Sequence, residues 1–382
     1  MRLRPIRVLF VVPALPVGGA ERHVTTMLPR MDTARFSPSV ICIGEEGALF
    51  PTLPAAGIEA VALRRHKRQA VRALIELVMM MRRTRPDVVV VQGYSAEVLG
   101  GIAARIAGVK HTINWVHNIG NVEPRGTVRS TVDRALTRWT SGYFGVAEAQ
   151  RRYLVDELGY PDDKIRIIYN GVDPAQFSIS TDRGVRAEFG FAEDDPVVGI
   201  VAMLRPEKDH VSFLRAARTV VDELPRARFL IIGDGPMRAQ LEALCTELQL
   251  TMNVHFAGSR DDVARLLQAI DVFVLSSVTV ECFPISLLEA MACARPAVCS
   301  AVGGIPEMIN DGETGYLVPP KDPQQLAARL GRLLRDPVTA RRMGRAARAR
   351  VEAEFDLDRS IAAAQQAIED VVSGQAVLSG RV

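Results

Sequence analysis

The strongest constraint on the fold is a rhythm that runs through the chain twice: short apolar runs separated by longer stretches with helical spacing. Ile6–Val12, Ser39–Ile43, Asp87–Val91, His111–Trp115, Tyr143–Val146 and Ile165–Tyr169 read as strands, with helical patterns at Ala70–Met81 and Ala96–Ile106 between them. Continuous apolar runs, rather than alternating ones, suit strands covered on both faces of a parallel sheet. A turn cluster, Asn170-Gly171-Val172-Asp173-Pro174, and a polar linker-like segment to Arg183 then interrupt the pattern. The rhythm resumes with strands at Val197–Leu204, Arg228–Ile232, Val254–Phe256, Asp271–Leu275, Pro296–Ser300 and Tyr316–Val318. Helices fit Val211–Glu223, Met237–Leu248, Val263–Ala269, Ser286–Ala294 and Asp322–Leu334, with a further one running from Thr339 into the C-terminal tail. Ser379–Val382 reads as a frayed end. The expectation is an α/β protein with two doubly wound parallel sheets and a cleft between them. At 382 residues the chain exceeds one typical core, which agrees.

Composition narrows the function classes. A formal charge of +3 leaves no bulk nucleic-acid footprint. Cys42, Cys245, Cys282, Cys293 and Cys299 are scattered and contain no CxxC pair. They suit a reducing cytoplasm better than a disulfide framework or zinc site, and no metal is expected. Arg2, Arg4 and Arg7 before Val8–Val17 superficially resemble a secretory leader, but Pro13 and Pro16 interrupt the run, and a first strand with its loop accounts for the same residues. No apolar stretch approaches the length of a spanning helix. Arg64, Arg65, Lys67, Arg68 and Arg72 lie between Ala60 and Ile75 without an acid. The first reading of such a run is a solvated face, and the functional one is contact with an anionic acceptor or a lipid head-group surface. The adjoining helix, with Val71, Leu74, Ile75, Val78 and Met81, is expected to pack on its own sheet.

The motif-bearing stretch is Ser276–Ala292. It follows the apolar run Val272–Leu275, carries Glu281 in a polar loop, and enters a helix expected to begin near Ser286, with Glu289 in its first turn. Open α/β sheets bind ligands beyond the carboxyl ends of their strands. Helix N-terminal amides there accept an anion, and two carboxylates suit neutral hydroxyls. A phosphate and a polyol in one ligand describe a nucleotide-sugar. Glu281 has no evident packing role. Glu289 has an alternative one, because Ser286-Leu287-Leu288-Glu289 matches a capping box.

Other stretches fall at equivalent places. Arg205-Pro206-Glu207-Lys208 closes a strand, and its two cations suit a diphosphate, with ion pairs to Glu207 or Asp209 as the plainer reading. Gly18-Gly19 lets backbone approach a ligand or simply makes a tight turn. Gly233-Asp234-Gly235-Pro236 reads mainly as a strand-to-helix turn. His117 follows a strand and is flanked by Asn118; packing and site roles both remain open for it. No nucleophile, P-loop, HExxH or GxGxxG signature is present.

In this order, the stretches resemble glycosyltransferase family 4, the retaining nucleotide-sugar transferases with the GT-B fold, over nearly the whole chain. Gly18-Gly19-Ala20-Glu21, Asn170-Gly171-Val172-Asp173, Arg205-Pro206-Glu207-Lys208, Gly233-Asp234-Gly235-Pro236 and Val302-Gly303-Gly304-Ile305-Pro306-Glu307 each match in kind. The most specific element is Glu281-Cys282-Phe283-Pro284-Ile285-Ser286-Leu287-Leu288-Glu289, the family's two glutamates separated by seven residues. The resemblance implies two Rossmann-like domains facing each other across a cleft, an acceptor-side domain over 1–178 and a donor-binding domain over 179–357, with a helix near 358–376 packing back on the first. It implies that Glu281 holds hydroxyls of the transferred sugar and Glu289 those of the ribose. Arg205 and Lys208 would clamp the diphosphate with help from Gly19 and first-turn amides; His117 would lie near the reacting sugar and acceptor. Gly18, Gly233, Pro284, Ile285, Ser286 and Leu287 complete the implied nucleotide-sugar contacts.

The implied reaction is transfer from a UDP- or GDP-sugar to a glycan, lipid-linked or polysaccharide-precursor acceptor, without a cofactor. It would take place in the cytoplasm, with peripheral contact at the inner membrane face and no nucleic-acid partner. Two positions depart from the pattern. Met203 replaces the arginine usual two residues before Arg205, and Cys282 stands where glycine is usual, which would narrow the sugar pocket. Competing readings are a nucleotide-sugar epimerase of the same fold, a non-catalytic nucleotide-binding protein, and a Rossmann oxidoreductase, whose glycine fingerprint is absent.

Overall fold

Seven strands in one sheet and six in another, all parallel, organise the residues described by the computed structural model, which are 4–117, 134–177, 184–279 and 281–374. Asn118, residues 178–183 of the linker-like segment and the tail Ser379–Val382 lie outside the described residues. Backbone contacts separate two units, Met1–Asn170 with Leu357–Val382, and Gly171–Asp356. The first division therefore falls inside the turn cluster, ahead of the linker-like segment.

The first unit contains β1 (Ile6–Val12), β2 (Phe36–Cys42), β3 (Glu59–Ala62), β4 (Val88–Val91), β5 (His111–Trp115), β6 (Gly142–Gly145) and β7 (Ile165–Ile167). Their order across the sheet is β3-β2-β1-β4-β5-β6-β7. All four valines of β4 are buried, as a strand covered on both faces requires. The chain returns to this unit with the helix Leu357–Ser373. Gln365 accepts from the Asp32 amide at 2.7 Å, and Asp370 pairs with Arg166 at 2.5 Å. Beyond Arg335 the chain forms two helices, Pro337–Glu354 and Leu357–Ser373, broken at Phe355–Asp356, and the second lies where a separate helix near 358–376 is expected.

The helix Ala70–Thr84 differs from expectation in the face it buries. Ala73, Leu77, Val78 and Met81 face inward, whereas Val71 and Ile75 are exposed. Two apolar spacings coexist in this helix, and only one can meet the sheet.

The second unit contains β8 (Val197–Val201), β9 (Arg228–Ile232), β10 (Val254–Gly258), β11 (Val272–Leu275), β12 (Ala297–Ser300) and β13 (Gly315–Val318), in the order β10-β9-β8-β11-β12-β13. The order reverses between β8 and β11 here, as it does between β1 and β4 in the first unit. Ligands of doubly wound sheets bind beyond the carboxyl ends of the strands at such a reversal.

Both units fasten the opposite, amino ends of these strand pairs in the same way. Asp87, just ahead of β4, accepts from the Arg7 amide at 2.9 Å and donates its own amide to the Arg7 carbonyl at 2.9 Å. Asp271, just ahead of β11, accepts from the Val197 amide at 2.9 Å and donates its own to the Val197 carbonyl at 2.7 Å. Asp271 also pairs with buried Arg186 at 2.8 Å. A short side chain bonded to the neighbouring strand fixes register, and register decides which loops meet at the far ends.

Candidate functional site

In the second unit, the loops leaving β8 and β11 converge. The loop after β8 makes one short helical turn, Pro206–Lys208, and ends at Asp209, which adopts a left-handed conformation and caps the helix His210–Glu223 by accepting from the Ser212 amide at 3.2 Å. The loop after β11 is bonded to it along its length. The Ser276 hydroxyl donates to the Lys208 carbonyl at 2.9 Å, and the Val278 amide donates to the Glu207 carbonyl at 3.0 Å.

Glu281 sits at the end of that loop, 4% exposed, although the sequence suggested no packing role for it. Its Oε1 receives Lys208 Nζ at 2.5 Å and the Ser277 hydroxyl at 2.6 Å. Its carbonyl accepts from the Gly304 amide at 2.9 Å, and Gly303 lies so close that a Cβ there would fall 1.7 Å from the same carbonyl oxygen. Gly303 also holds φ at +55°. The Val302–Glu307 stretch thus presses against the Glu281 backbone, and only glycine fits at 303. The sequence named Glu281 and Lys208 separately; their pairing, and the support from Gly303, arise where the loops after β8, β11 and β12 meet, three loops that no sequence spacing connects.

The helix after Glu281 spans Ile285–Ala292 with Pro284 as its N-cap and no side-chain cap bond. The expected capping box is therefore absent. It placed the cap at Ser286, but Pro284 occupies that place and has no N–H for Glu289 to fold back on. Glu289 is buried on this helix, 6% exposed. The amides of Ile285 and Ser286 precede the first intrahelical acceptors and are oriented to meet an anion. Cys282 and Phe283 are buried between the two glutamates.

Arg205 is half exposed and 4.0 Å from Glu207, so the plainer ion-pair reading describes its position, whereas Lys208 turns inward to Glu281 and away from Asp209. Met203 is exposed in the same segment. Gly233, at φ +140°, brings the turn after β9 against the loop after β8, where a Cβ would come 2.0 Å from the Ala202 carbonyl oxygen. The Leu204 amide donates to the Asp234 carbonyl at 3.0 Å across this contact.

In the first unit, Gly18 caps the helix Gly19–Met27 in extended backbone, and a Cβ on it would meet the Glu21 carboxylate at 2.2 Å. Gln92, at the end of β4, donates to the Ala20 carbonyl at 2.9 Å and so ties this loop to the strand-order reversal. His117 follows β5 and packs with His23, their ring centres 5.0 Å apart, beside Trp115, whose ring lies 4.7 Å from His23 and 6.0 Å from His117. Burial lowers the His23 pKa to about 4. Burial, and secondarily the neighbouring His23, hold His117 well below the ordinary histidine value, so both rings are neutral at physiological pH. His23 Nδ1, Trp115 Nε1 and His117 Nε2 are buried and make no hydrogen bond among the described residues. His23 and Trp115 were not among the residues singled out from the sequence. A histidine four residues into a helix carries no local sign of the ring it meets.

Each unit matches one family model over most of its length: residues 17–176 match the model described as Glycosyltransferase Family 4, and residues 183–350 the one described as Glycosyl transferases group 1. The chain belongs to glycosyltransferase family 4. Among its relatives, the N-acetyl-alpha-D-glucosaminyl L-malate synthase of Bacillus anthracis is 33% identical over 222 residues, 56% of each chain. The UDP-Gal:alpha-D-GlcNAc-diphosphoundecaprenol alpha-1,3-galactosyltransferase of Escherichia coli is 28% identical over 280 residues, 70% of this chain and 71% of the relative. The chain thus spans little more than half the length of the first of these relatives. The crystal structure of Anabaena HepE in complex with UDP-glucose has a TM-score of 0.84 at 24% identity, covering 96% of this chain and all of that one. Together with the two parallel sheets, this likeness gives the family 4 protein the GT-B fold.

Proposed function

We propose that the protein moves a hexose-type sugar from a UDP- or GDP-sugar to a glycan or lipid-linked acceptor, with retention of anomeric configuration, in the cytoplasm. The observation that carries this reading is the buried Lys208–Glu281–Ser277 cluster at the carboxyl ends of β8 and β11, next to the open amides of the helix Ile285–Ala292. Cation, carboxylate and helix N-terminus are the three groups a nucleoside-diphosphate sugar needs. The relatives support the same substrate classes, since one carries UDP-galactose and a diphosphoundecaprenol-linked sugar in its name.

In this reading the β- and α-phosphates meet Lys208, Arg205 and the amides of Ile285 and Ser286. Glu281 accepts hydrogen bonds from sugar hydroxyls, and Glu289 from ribose hydroxyls. Pro284 and Leu287 shape the wall of the site, and Gly18, Gly19 and Gly233 allow close backbone approach. The bond from C1 to the diphosphate oxygen breaks, and a bond from C1 to the acceptor oxygen forms on the same face. The acceptor proton passes to the departing phosphate oxygen, so no protein nucleophile is needed. His117, held neutral, has Nε2 available to a hydroxyl of the reacting sugar. The protein contributes positioning and charge stabilisation.

Thermal-shift screening against UDP-, GDP- and ADP-sugars, with NAD as control, tests this reading. A UDP- or GDP-sugar raises the melting temperature and NAD does not. Stabilisation by NAD alone contradicts it.

A further inference from the structure

Three rings meet at the carboxyl end of β5, and His23 is the one whose presence packing does not explain. It is the fifth residue of the helix Gly19–Met27 and is 6% exposed. Its ring packs on Trp115 and on His117, with centres 4.7 and 5.0 Å away. Trp115 is fully buried and wedged against Phe10 at 6.3 Å and Phe144 at 5.4 Å, so it makes a fixed platform. His117 lies nearly parallel to that platform, at 19°. Gln92 holds the helix of His23 down by donating to the Ala20 carbonyl at 2.9 Å.

A leucine at 23 would fill a similar volume without burying a polar atom, and a polar atom buried unpaired costs stability. The histidine keeps that cost: its Nδ1 is buried and makes no hydrogen bond among the described residues. The same is true of Trp115 Nε1 and His117 Nε2 on the neighbouring rings. Burial holds both imidazoles neutral, so each carries one N–H and one bare nitrogen. In a neutral imidazole the polar surroundings decide which nitrogen keeps the proton. Trp115 Nε1 is always a donor. An N–H on His117 Nε2 would add a second donor to this buried group, whereas a bare Nε2 complements it.

We infer that His23 is a positioning residue for sugar transfer: its polar ring fixes the plane of the His117 imidazole on Trp115 and selects the tautomer in which His117 Nε2 is bare. Nε2 then accepts from a hydroxyl rather than donating to one. His23 acts only through His117. Its role in the reaction rests on the one proposed for His117, whereas its hold on the His117 ring is a property of the resting protein.

The test compares the wild type with H23L, of similar volume and no ring nitrogen, and with H23N, which returns a polar atom near the place of Nδ1. Nitrogen-15 NMR reads the His117 tautomer in the full chain, with its signal assigned by loss in H117Q. The wild type shows Nε2 bare, H23L shifts the signal toward the other tautomer, and H23N restores it. Turnover falls about tenfold in H23L, while the KM for the nucleotide-sugar stays within about twofold. H23L keeps at least the wild-type melting temperature, because it buries no polar atom. A residue that only packs would give the reverse, with stability lost and turnover per folded molecule kept. A protonated Nε2 in the wild type overturns the assignment, as does H23L with the wild-type tautomer and turnover. Absence of any sugar transfer by the wild type would remove the proposed function, and the NMR comparison would still decide the part of His23.

Discussion

Lys208 Nζ lies 2.5 Å from Glu281 Oε1, and Glu281 is nearly out of solvent. The cation assigned to phosphate and the carboxylate assigned to sugar hydroxyls are therefore partners, and each sets the other's position. A change at either residue acts on stability as well as on ligand binding.

For Glu281→Ala the account expects transfer to be lost and stability to fall. Removing the carboxylate leaves the part-buried Lys208 ammonium and the Ser277 hydroxyl without their acceptor, a cost of about 1.5–3 kcal/mol. A drop of several degrees in melting temperature together with absent product formation is the expected result; unchanged turnover of the purified variant would remove Glu281 from the site.

Gly303→Ala acts at a distance from any ligand group. Its Cβ would meet the Glu281 carbonyl oxygen at 1.7 Å with φ already at +55°, so the Glu281 backbone must move. The companion change Gly312→Ala, at φ +79° with open space around it, measures the conformational cost alone, about 1 kcal/mol. Urea unfolding should show the larger loss for Gly303→Ala, and turnover should fall about tenfold or more for that variant only.

Asp271→Ala tests the device at the far end of the same strands. Arg186 is 1% exposed and also donates to the Ala269, Glu193 and Asp195 carbonyls, so losing Asp271 strands a buried guanidinium. The expected cost is about 3–5 kcal/mol. A loss below about 0.5 kcal/mol in denaturant unfolding would show that the pair does not hold β8 against β11.

How far these relationships could be read in advance depended on whether they were local. β1, β5 and β9 occupy the expected Ile6–Val12, His111–Trp115 and Arg228–Ile232, because uninterrupted apolar runs define a buried strand unaided. β3, Glu59-Ala60-Val61-Ala62, was not expected. It is an edge strand with no fully buried residue, and its pattern is weak for that reason. The capping box at Ser286 failed because the matching spacing ignored Pro284, which takes the N-cap place two residues earlier. The helix Ala70–Thr84 carries two apolar spacings, and only the sheet beneath decides between them. Glu281 and Lys208 were visible as residue types at strand ends. Gly303, His23 and Trp115 matter only through contacts between distant loops and strands, and Ser277 through a loop conformation that brings it back onto Glu281 four residues on.

His210 gives the fold a sensitivity to acid. It is 2% exposed, both ring nitrogens are buried without a hydrogen-bond partner among the described residues, and burial, with Lys208 nearby, lowers its pKa to about 4. The unfolded chain, with an ordinary histidine, binds a proton that the folded one refuses between about pH 4 and 6.5. Stability therefore falls as pH drops through that window. His210→Leu should flatten the slope by up to about 1.4 kcal/mol per pH unit. Parallel wild-type and variant curves from pH 4 to 7 would exclude this origin.

The central claim, that the second unit binds a nucleoside-diphosphate sugar through the Lys208 cluster, is tested most directly by calorimetry. The UDP- or GDP-sugar giving the largest thermal shift is titrated into wild type and Lys208→Ala. The account predicts that binding weakens by about 1.5–3 kcal/mol in the variant, the scale of a charge-assisted hydrogen bond. Equal affinity in the two proteins would contradict it.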